Sequence, residues 1–195
     1  LMSVKQHTSG FMNHIHYRIS HMPPPKVPNW FMEEITSISR FVAKIRAKVS
    51  RDYHTREIAY RTRSEIGIRL CSQLLKLSLS LAVVLDKKTL DKEILDITRA
   101  IASHTSRGFN FEIVQSIAEC IEHGGVGLDK SQLSKKLDLV ETAISKRLED
   151  LRIVGLVSRV EIPNTSGARG RHRHVWKIND EYLSLWKSLN EESRS

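Results

Sequence analysis

A basic segment without acidic residues near the C-terminus holds the side chains best suited to binding an anion. Residues 163–174 contain three arginines and two histidines, together with two glycines that allow the backbone to splay. Guanidinium groups match phosphate oxygens in both charge and geometry. The segment therefore predicts contact with phosphate. Its cationic candidates are Arg169, Arg171, His172, Arg173 and His174.

Metal-binding and catalytic patterns have little support in this sequence. Cys71 and Cys120 lie far apart in apolar, helical contexts, which argues against a disulfide framework or a CxxC zinc site. The histidines cluster near both ends of the chain but lack cysteine or carboxylate partners at ligand spacing. No GxSxG elbow, Walker B strand or plausible triad is present. We therefore predict neither a metal site nor a catalytic residue in this chain.

The motif nearest to a phosphate-binding loop is GGVGLDKS, at residues 124–131. Asp129 occupies the position where a Walker A loop requires its second glycine, and its carboxylate would repel phosphate. An apolar helical pattern, rather than a strand, precedes the motif. We interpret it as a connector between helices and expect no cofactor, with ATP and Mg²⁺ relevant only within a larger ATPase.

Composition predicts a mainly helical protein with a polyanionic partner. The 195 residues are 40% hydrophobic and only 6% aromatic, and their long segments have helical period, which suggests two small units with separate cores. A net charge of +9 favours nucleic acid or an anionic membrane surface. No run approaches the roughly 18 apolar residues of a membrane span, and the first residues lack a secretory apolar core. We therefore expect a soluble, intracellular protein, cytoplasmic or associated with the nucleoid, and no membrane partner.

The N-terminal half has the pattern of an extended segment followed by a helical bundle. Residues 1–29 contain Gly10 and a proline-rich run, which favour an extended connector. Helices are then predicted over 30–51, 55–85 and about 89–102, the last one capped by Thr89. The first has a basic face that we interpret mainly as solvated, formed by Arg40, Lys44, Lys48 and Arg51. A polar break at 104–108 marks the end of this bundle, assigned to residues 30–105.

Residues 109–190 predict three helices followed by a β-hairpin. The first helix spans 109–121 and ends at the glycines of HGGVG, and the second is a short helix capped by Asp129. A turn at 138–140 leads into a third helix, which Gly155 ends. Residues 156–162 and 175–178 then alternate between apolar and polar side chains, as paired strands do. A short turn between the second and third helices is what a helix-turn-helix requires.

The segment SQLSKKLDLVETAISKRLEDLRIVGLVSRV resembles winged helix-turn-helix DNA-binding domains, over about 80 residues of the chain. The resemblance implies that the third helix lies in the major groove and that the arginine-rich hairpin, the wing, contacts phosphates or an adjacent minor groove. The residues that it places near DNA in the helices are Lys135, Glu141, Thr142, Ser145 and Lys146.

A second segment, RTRSEIGIRLCSQLLKLSLSLAVVLDKKTLDKEILDITRAI, resembles the helical lid of minichromosome-maintenance (MCM) and related AAA+ helicases. In that family a lid arginine contacts nucleotide in a neighbouring subunit, which implies such a role for Arg61 or Arg63, and Arg69 matches a later arginine of the lid. Of the first two we carry over Arg63. Upstream, TSGFMNHIHYRISHMPP resembles the Ser-x-Phe strand that closes the ATPase core. Gly10 takes the place of the arginine finger there.

Three functions fit these patterns. The preferred one is DNA binding by a C-terminal winged helix that belongs to an MCM-like replicative helicase, whose partners would be DNA and the ATPase portion of a larger chain. The first alternative is a free-standing transcriptional regulator that forms a homo-oligomer through its helices. The second is a winged helix used for protein contacts, because a fold does not establish a function.

Overall fold

The computed structural model describes residues 4–21, 23–47, 49, 65–162 and 173–190. Those residues form mainly helices and one two-stranded antiparallel sheet, which confirms the predicted fold class of mainly α structure with a small β-hairpin. The helices are α1 (Val4–His21), α2 (Asn29–Arg46), α3 (Glu65–Val84), α4 (Lys92–Ser106), α5 (Phe109–Glu122), α6 (Lys130–Leu137), α7 (Glu141–Ile153) and α8 (Asp180–Asn190). The strands are β1 (Val157–Ile162) and β2 (Arg173–Ile178).

The N-terminal segment is a helix, so the prediction of an extended connector over residues 1–29 was wrong for α1, as was the strand implied by the helicase resemblance. The prolines that exclude helix begin only at Pro23, and a single Gly10 costs a helix only about 1 kcal/mol. The proline-rich part is extended and pairs with the start of the α4 region. There the Lys26 N–H donates to the Lys88 carbonyl at 2.9 Å.

Helices α2, α3 and α4 pack together as the predicted bundle, with two adjustments to their limits. Helix α2 ends at Arg46 instead of near Arg51, because Ala47 is already extended. The N-cap of α4 is Asp91, not Thr89: its carboxylate accepts the Ile94 N–H at 3.1 Å, while Thr89 bridges to the proline-rich segment. Residues 50–64, which include much of the predicted second helix, lie outside the described residues.

The predicted order of three helices and a hairpin is confirmed for the described residues after Gly108. Asp129 caps α6 by accepting the Gln132 N–H at 2.7 Å, and the Gln132 side chain accepts the Asp129 N–H at 3.0 Å, which completes a capping box. The segment from Gly124 to Asp129 is therefore a helix connector, as predicted. Gly155, with φ of 74°, ends α7 as expected.

Strands β1 and β2 pair in antiparallel register from Val157 opposite Ile178 to Ile162 opposite Arg173. Leu128, between α5 and α6, adds an antiparallel bridge to Trp176 through hydrogen bonds of 2.8 and 3.2 Å. Gly127 precedes it with φ of 150°, and any side chain there would collide with the Trp176 carbonyl oxygen. The connector between α5 and α6 is thereby fastened to the hairpin.

Helix α8, which the sequence analysis did not predict, joins the two halves of the chain. Its Trp186 is 3% exposed, with its ring centroid 5.0 Å from that of Phe111 in α5 and 6.3 Å from that of Phe41 in α2. Buried side chains from α2 through α8 form one connected cluster. The expectation of two separate cores was therefore wrong. The predicted break at 104–108 is shorter than expected, because α4 continues past Ala102 to Ser106 and only residues 107 and 108 separate it from α5.

One described helix, over Gly67–Val84, meets the length and composition of a membrane span, with mean hydropathy of 1.4 over 18 residues. It packs against α1, α2 and α4, and its fully buried positions Leu70, Leu74, Ser78 and Ala82 recur every four residues. A core helix of a soluble protein has the same composition, so this helix is weak evidence for a membrane span.

Candidate nucleic-acid interface

The turn between α6 and α7 is short and well bonded, and it sets the direction of α7. Asp138 adopts a left-handed conformation with φ of 53°, which Asn and Asp tolerate better than most residues. The Leu139 N–H donates to the Ser134 carbonyl at 3.1 Å, and the Ser134 hydroxyl donates to the Leu139 carbonyl. These bonds satisfy backbone groups at the end of α6, so α7 starts in one orientation.

Helix α7 has an apolar inner face and a polar outer face. Ile144, Leu148 and Leu151 are buried against the rest of the three-helix unit. Four predicted contact residues lie together on the outside: Glu141, Thr142 and Lys146 are exposed, and Ser145 is half-buried. The spacing of four residues stacks Thr142 with Lys146 and Glu141 with Ser145 on adjacent turns. We call these four residues the outer face of α7.

The two lysines at the end of α6 differ in their surroundings. Lys136 pairs with Glu119 of α5, Nζ to Oε2, at 2.7 Å and therefore stabilises the packing of α5 and α6. Lys135, the residue that the sequence predicted as a DNA contact, is exposed and forms no ion pair with another described residue.

Arg147 is a cation of this surface that the sequence analysis did not select. It is exposed next to Lys146, and its Cζ atom lies 5.7 Å from the centre of the Phe109 ring. Stacking on an aromatic ring holds a guanidinium in place and leaves its outward N–H groups available. The Lys-Arg pair in the sequence was the signal that could have identified it.

At the end of the hairpin that adjoins segment 163–172, Arg173 is already bound to an acidic residue. Its Nε and Nη2 atoms donate to Oδ2 of Asp129 at 2.9 and 2.6 Å, which links β2 to the start of α6. Partial burial raises the pKa of Asp129, but hydrogen bonds from the Gln132 N–H and from Arg173 outweigh it, so the pKa is below its usual value. Arg173 thus fastens this end of the hairpin to the start of α6. The neighbouring His174 is exposed.

Several predicted site residues lie outside the described residues. Arg169, Arg171 and His172 fall in segment 163–172, which joins β1 to β2, and the tentative nucleotide contact Arg63 falls in 50–64. The structure places the other predicted residues on one continuous unit formed by α6, α7 and strand β2.

Positive charge is unevenly divided along the chain. Residues 109–195 contain 13 lysines and arginines and 13 aspartates and glutamates, so the excess of +9 belongs entirely to residues 1–108. The C-terminal half is therefore neutral overall, and its affinity for a polyanion depends on where cations are exposed. Segment 163–174 holds three arginines and no acid, and Lys146 and Arg147 form an adjacent pair of cations on α7.

Part of the predicted basic face of α2 packs against α8 instead of being solvated. The Nζ atom of Lys44 lies 4.4 Å from the centre of the Tyr182 ring in α8, and burial lowers the pKa of Lys44. Arg40 on the same helix remains exposed, whereas Lys48 and Arg51 lie outside the described residues.

Within the residues that the structure describes, no three His, Cys, Asp or Glu side chains come together in a way that could hold a metal ion. Both cysteines are free and half-buried. Comparison of the chain with protein-family models, curated proteins and solved structures found no match.

Proposed function

We propose that the C-terminal part of the chain binds duplex DNA as a winged helix-turn-helix, with α7 in the major groove. The observation that carries the proposal is the exposed outer face of α7, on a helix whose opposite side is buried and whose start is fixed by a short turn. Helix-turn-helix proteins place such a helix in the major groove, with residues of its first turns against the base edges.

The outer face of α7 offers both base and phosphate contacts. The hydroxyls of Thr142 and Ser145 can donate to or accept from base edges, and the Glu141 carboxylate can accept from a cytosine amino group. Lys146, Arg147 and Lys135 surround these groups with positive charge that suits the DNA backbone. Specificity would thus come from the first two turns of α7, and affinity from the surrounding cations.

The hairpin supports the same proposal. Strands β1 and β2 flank segment 163–172 in the sequence, and the Arg173–Asp129 ion pair and the Leu128–Trp176 bridge fasten the hairpin to the three-helix unit. Arginines on a hairpin in this position would bind phosphates or enter an adjacent minor groove, where the negative potential is strongest.

Salt dependence of duplex binding tests the proposal. The variant K135Q/K146Q is expected to weaken binding and to reduce the slope of log K against log salt by about 1.8, or about 0.9 per lost phosphate contact. The matched variant K76Q/K92Q removes two exposed lysines from the N-terminal bundle and should leave the slope unchanged. Equal slopes in the wild type and in both variants would exclude the outer face of α7 as a DNA-binding surface. Negligible DNA binding even at low salt would favour a winged helix used for protein contacts.

The wing is tested in the same assay with Arg169, Arg171 and Arg173 changed together to alanine, which should reduce the slope by up to about 2.7. Arg173 also pairs with Asp129. The double variant R169A/R171A keeps this ion pair, so it separates loss of phosphate contacts from loss of the contact between β2 and α6. An unchanged slope in both variants would contradict the wing assignment.

A second proposal concerns the larger protein: the chain serves as the C-terminal region of an MCM-like AAA+ helicase. Its support is the packing of the Asp91-capped helix α4 back onto α3, through the buried hydrogen bond between Ser78 and Thr98 at 3.0 Å. The lid resemblance implies this arrangement. The helicase resemblance also implied a strand where α1 is helical, so α1 does not support the proposal. Nucleotide contact by Arg63 remains a prediction.

The size of the native polypeptide tests this second proposal. Detection in source cells of a longer polypeptide with Walker A and B motifs would support it. A native chain that starts at Met2, forms dimers and protects two half-sites about one DNA turn apart in its own promoter would support a transcriptional regulator instead.

A further inference from the structure

A cavity of about 660 Å³ lies between α1, the proline-rich segment and the C-terminal end of α3. Its walls are mainly apolar, with Ile15 and Ile19 from one side, Leu79 and Val83 from the other, and Pro24 between them. This volume lies within the range of pockets that bind small molecules. None of the residues proposed to contact DNA lines it.

One end of the cavity carries a buried guanidinium with unused hydrogen-bonding capacity. Arg18 is 7% exposed, its Nη1 atom donates to the Val83 carbonyl at 3.0 Å, and it pairs with the exposed carboxylate of Asp86. Its Nε atom is buried and has no hydrogen-bond partner. A guanidinium has five N–H donors, and a buried donor without an acceptor is unfavourable unless a ligand supplies one.

Two further cations stand at the rim. Lys26 and Lys88 line the cavity, and the backbone bond between them holds the proline-rich segment against the end of α3. Lys87 also lines it, but Asp91 and Glu93 engage its ammonium group. Lys26 and Lys88 form no ion pair with another described residue, so the positive charge at this end exceeds the negative.

We propose that this cavity binds a single-chain amphiphile with an anionic head, of the fatty-acid carboxylate class. The alkyl chain would lie against Ile15, Ile19, Leu79 and Val83, and the carboxylate would lie beside the Arg18 guanidinium while facing Lys26 and Lys88. An apolar wall alone would fit many occupants, and the buried guanidinium together with Lys26 and Lys88 selects an anion among them. The surface is concave, which suits a free molecule better than the plane of a bilayer.

Calorimetric titration of the full chain with dodecanoate, below its micellar concentration, tests this site. Dodecanoate should bind with one-to-one stoichiometry, and dodecyltrimethylammonium and acetate should bind at least about tenfold more weakly, because each lacks one of the two recognised features. Ser80 lines the cavity and is exposed, so Ser80→Trp should fill the space and abolish binding without unfolding the protein, as checked by circular dichroism.

The rim is tested by K26Q/K88Q, which should weaken dodecanoate binding by about threefold or more, whereas the matched variant K76Q/K92Q should leave it unchanged. Equal binding of the cationic amphiphile, or unchanged dodecanoate binding by the folded Ser80→Trp variant, would overturn the proposal. Binding to anionic vesicles but not to free dodecanoate would also overturn it. None of these readouts involves DNA, so their outcome is independent of the proposed DNA binding.

Discussion

Trp186 is the side chain through which α8 couples the N-terminal bundle to the C-terminal unit, and its removal should destabilise both. The ring is 3% exposed and lies between Phe111 and Phe41. Truncating a buried tryptophan to alanine costs about 3–5 kcal/mol through lost apolar burial and the resulting cavity. For a chain of this length, that corresponds to a fall in Tm of about 6–20 °C.

Urea unfolding measures this cost. Trp30 in α2 and Trp176 in β2 remain as fluorescent reporters of the two halves in Trp186→Ala, and replacing either one by phenylalanine leaves a single reporter. Because the buried cluster is continuous, the wild-type transitions seen by circular dichroism and by total tryptophan fluorescence should coincide, and each single reporter should register the loss in the variant. Ser184→Ala, an exposed change in the same helix, should alter the free energy of unfolding by less than about 0.5 kcal/mol.

Two separate wild-type transitions, or a cost below about 1 kcal/mol for Trp186→Ala, would refute the single connected core.

Three further outcomes follow from the α5–α6 connector and from α1. Asp129→Ala should cost about 1 kcal/mol or more, because it removes the capping box together with the Arg173 ion pair. Since the folded-state pKa of Asp129 is lowered, its contribution is present above its unfolded pKa and lost as pH falls through the folded value, so wild type and variant should converge in acid-dependent unfolding. Gly127→Ala should cost at least about 2 kcal/mol, because the added Cβ meets the Trp176 carbonyl at φ of 150°. Gly10→Ala, with nothing within 4 Å of the added Cβ, should instead stabilise α1 by up to about 1 kcal/mol, as hydrogen exchange would report.

The C-terminal half could be predicted from its sequence because local chemistry determines its boundaries. Asp129 and Gln132 form a capping box, Gly155 stops α7, and alternation marks β1, whereas the neighbouring Val175 and Trp176 are both buried in β2. Thr142 and Lys146 could be placed on one exposed face from helical spacing alone, since Ile144 and Leu148 define the buried side.

The features that the sequence analysis missed depend on contacts between distant parts of the chain. Helix α8 is short, and its apolar residues Tyr182 and Trp186 pack against Phe41 and Phe111, which are far away in sequence. Arg173 was selected as a phosphate ligand from its type, but its partner Asp129 is 44 positions away. Lys44 was placed on a solvated face by periodicity, although Tyr182 covers it.

Site-specific photocrosslinking to a DNA duplex tests the central claim, that the outer face of α7 meets DNA, most directly. A benzophenone amino acid at position 142, where Thr142 is exposed in the first turn of α7, should crosslink to bases of the duplex. The same probe at Ser72, exposed on α3, should give little or no crosslink. Crosslinking from position 72 but not from 142, or from neither while the duplex is bound, would contradict the account.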